Sequence, residues 1–241
     1  RLDDGSYRLN ARKVYLTFAP ICDVAIVFAS TRPEAGSWGI SAFLVDTSLP
    51  GVRRGEIRPK MGMRTTPFGD LQFDDVVVPG DALLGREGAG ARMFTATLDV
   101  ERSFVFAPQI GAMQRQLEAT IEFANTRQEG GGPIGRHQAV AHRLVAMKER
   151  HERARLFMYR AALARATGSG VAMAASLAKI VGSDAVVGSS LDATTVHGAQ
   201  GYVTEYEVER ALRDAVGGRS YSGADDVLRN VVARLLGLPA S

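Results

Sequence analysis

The sequence predicts an α+β chain, with an antiparallel β-barrel or sandwich domain over residues 1–86 and an up-down α-helical bundle over 87–241. Three observations predict it. Turn-forming residues punctuate the first part at intervals of about eight to twelve positions, too short for intervening helices. From Glu87 onward, apolar residues recur at helical spacing instead. Gly130-Gly131-Gly132 and Gly168-Ser169-Gly170 then divide the second part into segments of about thirty residues, the lengths expected of helices packed side by side.

The β-rich runs cover 7–9, 13–18, 24–29, 40–45, 53–61 and 70–78. Between them lie Asn10-Ala11, Pro20, the stretch 32–36, Pro50-Gly51 and Pro79-Gly80, each with ordinary turn chemistry. The change of period falls near 84–90. One long helical run opens at Gly88-Ala89-Gly90 and carries Met93, Val100, Phe104, Ala107 and Met113 on its apolar spacing. Further helices are expected over 136–166, 171–197, 205–215 and 224–236.

Composition narrows the function classes. Of 241 residues, 46% are hydrophobic and 23% charged, which excludes a disordered, collagen-like or disulfide-scaffold chain. A net charge of +3 is too balanced for an electrostatic nucleic-acid or membrane surface, so neither partner is expected. The lone Cys22 forbids an internal disulfide and points to a reducing cytoplasm. No run of 18 apolar residues suggests a membrane span. The opening Arg1-Leu2-Asp3-Asp4 does not read as a signal peptide, and 7–11 already reads as strand, so the chain is expected to begin inside a domain.

Several chemistries lack their motifs. There is no phosphate-cradling Gly-x-x-x-x-Gly-Lys-Ser/Thr and no Gly-x-Ser-x-Gly elbow. Gly88-Ala89-Gly90 lacks the third glycine of a dinucleotide turn and reads as a helix N-terminus. His137 and His142 are five apart, while His151 and His197 stand alone. Metal sites prefer spacings of three or four with carboxylate company, so no metal is expected and each histidine reads as a surface or helix-capping residue.

One carboxylate has unusual company. On a helix, Glu101 faces Thr97, Leu98, Phe104 and Val105, none of them charged. It is either shielded from water or turned toward the adjacent Arg102. The first arrangement would make it a general base in a dry pocket, the second a boundary ion pair.

The motifs as a set resemble the acyl-CoA dehydrogenase family. Lys60-Met61-Gly62-Met63-Arg64-Thr65-Thr66 and Leu71-Gln72-Phe73-Asp74-Asp75-Val76-Val77-Val78-Pro79 are similar to that family's middle β-domain. Leu83-Leu84-Gly85-Arg86-Glu87-Gly88-Ala89-Gly90 resembles the entry to its C-terminal helical domain. Leu98-Asp99-Val100-Glu101-Arg102, Gly132-Pro133-Ile134 with Gln138, and His197-Gly198-Ala199-Gln200-Gly201-Tyr202 through Arg213-Asp214-Ala215 follow in family order. The resemblance implies a β-domain truncated at its start, with a preceding helical domain and a flavin-contacting loop lying before Arg1.

It also implies FAD-dependent α,β-dehydrogenation of an acyl thioester, with a tetrameric assembly and an electron-transfer flavoprotein as partner. Tyr15 and Thr17 match residues along the flavin ring. Arg127 matches the arginine that reaches the flavin diphosphate of a neighbouring subunit and Gln138 the nearby adenosine contact, and Gly198 and Gly201 fall in the cofactor-binding glycine motif. Asp99 and Arg102 match residues beside the acyl-CoA. The common C-terminal base position is Ser222 here, and the threonine two residues on is Ala224. Isovaleryl- and long-chain-type members instead place the glutamate on the long helix, which selects Glu101. Departures at Thr195, at Ala199 and near Gly130 touch the cofactor region. Two alternatives follow: a non-catalytic, flavin-poor subunit of a heterotetramer, and a tailoring enzyme of secondary metabolism acting on an acyl group held by a carrier protein.

Overall fold

Strand alternation in the first part builds two small antiparallel sheets. The computed structural model describes residues 1–239. Strand β1 (Tyr7–Thr17) pairs with β5 (Phe68–Val78), which also pairs with the short β4 (Val52–Arg54). Strands β2 (Val24–Ser30) and β3 (Ile40–Asp46) form a separate hairpin. Inward positions of both sheets supply one apolar core containing Tyr7, Val27, Phe43, Val45, Phe73 and Val76. The mixed α+β class and the antiparallel pairing agree with the sequence reading.

Two strand boundaries differ from the expectation. β1 runs through Asn10-Ala11 without breaking, because the register shifts there instead. The Asn10 amide donates to Asp75 Oδ1 at 2.9 Å and its oxygen accepts from the Asp75 backbone N–H at 2.8 Å, so the bulge stays hydrogen-bonded. The run 53–61 is strand only as far as Arg54. Beyond it Gly55 and Arg58 donate isolated backbone bonds to Asp70 and Phe68, and Pro59 has no N–H for a ladder.

The second part is helical. The expected single run is two helices, α1 (Gly90–Phe104) and α2 (Ala107–Thr126). Pro108 explains the break: it offers no N–H to the carbonyl four residues back, and its ring would collide with that carbonyl. A two-residue ladder follows, β6 (Gln128–Glu129) with β7 (Gly132–Pro133). Then come α3 (Gln138–Thr167), α4 (Val171–His197), α5 (Val208–Val216) and α6 (Asp225–Leu235).

Gly168 ends α3 in the left-handed conformation at φ 69°, and its N–H bonds back to Ala164 and Arg165 carbonyls. Helix α4 is the bundle's centre, packed against α2, α3, α5 and α6. Its buried residues are mostly small, including Ala175, Gly182, Ser183, Ala185, Ser189 and Ala193, which lets neighbouring helices approach closely. The segment Val171–Gly201 is long and apolar enough to cross a membrane by composition, with mean hydropathy 1.5, but 56% of that window is buried inside the protein. Burial by partner helices accounts for its apolar character.

Two compact units result, Arg1–Thr97 and the residues from Leu98 onward.

Candidate active site

In the helical unit, two segments far apart in sequence meet at Glu101. Between Tyr221 and α6 the chain turns through two left-handed residues, Ser222 at φ 56° and Gly223 at φ 91°. Glycine adopts this readily and serine does not, so tertiary contacts must hold the turn. Arg102 Nε donates to the Ser222 carbonyl at 3.1 Å. The Ser222 hydroxyl in turn donates to Glu101 Oε1 at 2.6 Å, a distance typical of a charge-assisted bond to a carboxylate.

Neither arrangement expected for Glu101 is found. Its side chain is exposed rather than shielded, and it pairs with Ser222 rather than Arg102. Of its apolar neighbours, Phe104 is 38% exposed, while Leu98 and Val105 are half-buried. Asp99 is half-buried on the same helix, and its carbonyl accepts from Ser103 Oγ at 2.7 Å. Beneath the turn, Tyr221 stacks on Phe106 with ring centroids 5.8 Å apart. Gln109 Nε2 donates to the Tyr221 hydroxyl at 3.2 Å, and burial pushes that phenol up to about 12.

A second cluster forms where α2 ends. Arg127 caps α2 and is exposed, with Glu129 3.7 Å from its guanidinium. Its carbonyl accepts from the Ile134 N–H at 2.9 Å, which folds the chain back so that Gln138 opens α3, also exposed. Gly198 follows α4 at φ 58°, with nothing within 4 Å of the place a Cβ would take. Gly201 is buried, and a Cβ there would lie 2.4 Å from the Thr194 carbonyl oxygen. A cleft of ≈ 430 Å³ is lined by Phe123, Thr126, His197, Gln200 and Tyr206 among others.

His197 stacks on Phe123 at 4.2 Å, a pairing no local pattern announces. As the last residue of α4 it bonds the Ala193 carbonyl at 2.9 Å through Nδ1. His137 precedes α3 at its N-terminus and His142 is exposed. His151 departs from the surface reading: it is 4% exposed within the bundle, and burial pulls its basicity below the ordinary histidine value.

In the β unit, Tyr15 and Thr17 lie near the end of β1. A register shift between Lys13 and Leu16 puts Tyr15 at φ 60° and leaves its ring 66% exposed. It is therefore not a core residue. Arg58 sits over the ring at 5.4 Å, and Phe68 stacks beside it at 6.1 Å. Asp70, which sequence reading passed over, organises this corner. It accepts from Arg58 at 2.8 Å, Arg12 at 2.9 Å and the Tyr15 N–H at 3.3 Å. The Arg58 and then the Arg12 hydrogen bonds hold its carboxyl well below the usual carboxylate range. The available signal was an aspartate placed just before the apolar alternation Leu71, Phe73.

Lys13, Ile26, Phe28 and Phe94 help to line a mainly apolar cleft of ≈ 670 Å³ in the same unit. Among the described residues, no group of three or more His, Cys, Asp or Glu could hold a metal ion.

Comparison with known proteins identifies relatives of both parts of the chain. Residues 1–76 match the family model for the acyl-CoA dehydrogenase middle domain, and 88–237 the model for its C-terminal domain. An L-prolyl-[peptidyl-carrier protein] dehydrogenase of Pseudomonas fluorescens is 40% identical over 235 residues, covering 98% of this chain and 62% of that protein. The crystal structure of the prolyl acyl carrier protein oxidase AnaB superposes with a TM-score of 0.96 at 38% identity, covering 98% of this chain and 63% of AnaB. PigA solved with FAD and proline gives a TM-score of 0.96 at 35% identity, covering 99% of this chain and 62% of PigA. The chain thus spans less than two thirds of the length of the relatives it matches. Matched in sequence over both family domains and in fold to solved members, it belongs to the acyl-CoA dehydrogenase family.

Proposed function

We propose that this protein is an FAD-dependent dehydrogenase of an acyl thioester, with Glu101 as the base that removes the α-proton. The observation that carries the reading is the solvent-accessible Glu101 carboxylate fixed at 2.6 Å by Ser222. A carboxylate so held can meet a substrate carbon in one orientation, whereas serine at the other candidate position has no basic partner except that same glutamate. Asp99 and Arg102, on either side of Glu101, are the residues proposed to contact the thioester.

Taken separately, each unit carries residues suited to part of a flavin dinucleotide. Tyr15 offers an exposed aromatic face held from behind by Arg58 and Asp70, with Thr17 two residues on. Arg127 offers a solvent-facing guanidinium suited to a diphosphate. Together with Arg127, Gln138, the open backbone at Gly198 and the close turn at Gly201 are proposed to contact the cofactor of a neighbouring subunit. When bound, FAD supplies the acceptor for the hydride equivalent that leaves the β-carbon. The protein's part is to orient the thioester and to take the α-proton onto Glu101, so that the electron pair left behind forms the double bond.

A second reading concerns the acyl carrier. The prolyl-carrier-protein enzymes among the relatives favour a thioester held on a carrier protein over free acyl-CoA. Efficient turnover of free acyl-CoA esters would remove that version. The proposed domain division is 1–86 and 87–241, the assembly a homo- or heterotetramer, the setting cytoplasmic lipid metabolism, and the electron acceptor an electron-transfer flavoprotein. The test is flavin bleaching by substrate in the flavin-loaded enzyme: Glu101→Gln should abolish it, and undiminished bleaching would refute the assignment. A colourless purified protein that turns yellow only with a partner chain would favour the flavin-poor subunit instead.

A further inference from the structure

Helix α4 contains a lysine with no exposed surface. Lys179 is 0% exposed, and its ammonium donates to Asp225 Oδ1 at 2.7 Å. One turn on, Ser183 is equally buried and its hydroxyl donates to Asp225 Oδ2 at 2.8 Å. Taking such a pair out of water is costly, and an apolar pair of similar volume commonly serves stability as well or better. What the ionic set adds is direction. Both oxygens of Asp225 are held by one face of α4, so the first turn of α6 has a fixed position and rotation.

Asp225 stands three residues after Ser222, and the turn is also held from its other end. Arg102 bonds the Ser222 carbonyl, and its guanidinium lies 3.3 Å from the place a Cβ on Gly223 would take. Between these anchors Ser222 keeps φ 56°, a conformation it would leave if either were released. A serine hydroxyl rotates freely, so its aim at Glu101 depends on where the main chain puts it.

We infer that Ser222 is a positioning residue for Glu101, and that the buried Lys179, Ser183 and Asp225 act through it by fixing the start of α6. The inference rests on the reading of Glu101 as base. By engaging Oε1, the Ser222 hydroxyl presents Oε2 as the oxygen that receives the proton.

The test separates proton removal from oxidation. Phenylacetyl-pantetheine has acidic α-protons and no β-hydrogen, so flavin-loaded enzyme in D₂O should exchange its α-protons without oxidising it. The pantetheine arm is common to CoA and carrier proteins. Ser222→Ala is expected to slow exchange roughly 10- to 100-fold with thioester affinity little changed. Asp225→Asn should slow it about 10-fold alone, but by less than about twofold more in the Ser222→Ala background, because coupled residues are non-additive.

Additive effects, or a Ser222→Ala rate within about twofold of the parent, would overturn the inference. If Asp225→Asn fails to fold, Lys179→Met with Asp225→Leu substitutes an apolar pair. That variant should melt normally yet lose exchange as Ser222→Ala does; full exchange overturns the inference. Without flavin, Asp225→Asn should also speed amide exchange in a peptide covering 221–228, and an unchanged rate counts against the anchor. Glu101→Gln separates the two levels: undiminished exchange there removes the base assignment itself. Lost exchange in Glu101→Gln with normal exchange in Ser222→Ala overturns the positioning role alone.

Discussion

Replacing Phe106 by alanine probes the packing beneath the candidate site. Phe106 is 4% exposed at the break between α1 and α2, in a cluster with Ile110, Met113, Ala154, Val186 and Ala215. Two glycines face it: a Cβ on Gly182 would lie 2.8 Å from its ring, and one on Gly218 2.9 Å. Phenylalanine-to-alanine changes in cores cost about 3–5 kcal/mol, and the value depends on how far the surroundings collapse into the space. Glycines have no side chain to move inward, and the stack on Tyr221 is lost as well. The upper part of the range, about 4–5 kcal/mol, is therefore expected. For a chain of this length that is roughly 8–20 °C in Tm, read by circular dichroism melting of parent and variant in one buffer. A fall below about 4 °C would show that the pocket closes freely and that the glycine-lined reasoning is wrong.

Three further outcomes follow from the same contacts. Gly182→Ala would place a methyl 2.8 Å from that ring and should cost about 1–3 kcal/mol by overpacking, measured by urea denaturation; a neutral result would mean Phe106 shifts easily. Burial lowers the basicity of His151 below its value in the unfolded chain, so the unfolded state binds more protons in acid. Stability should be fully present above pH about 6.5 and fall as pH drops below it, and His151→Leu should flatten that part of the curve; an unchanged slope refutes it. Asp192 accepts from Arg143 and Arg150 at 2.6 Å each, tying α3 to α4. Asp192→Ala should cost about 1–3 kcal/mol by leaving both guanidinium groups unpaired, and a melting temperature equal to the parent's would refute that.

The sequence alone determined the fold class, because a period of two and a period near 3.6 are local properties of the chain. Helix α4 was legible to its ends, since glycines bracket it and small and apolar residues predominate between them. The helix break was not, because Val105 and Phe106 continue the apolar spacing across it and only the ring of Pro108 interrupts the backbone bonds. At the candidate site, the sequence singled out Glu101 by its apolar neighbours but said nothing of what it touches. Ser222 lies 121 residues away, and its hydroxyl reaches Glu101 only because α6 is anchored to α4 and the turn to Arg102. Tyr15 tells the same story: nothing local to it announces the register shift and the Asp70 contact that turn it outward. Periodicity is written along the chain. The direction of a side chain is decided by residues that only the folded chain brings near, and that is why the elements were readable and the site's partners were not.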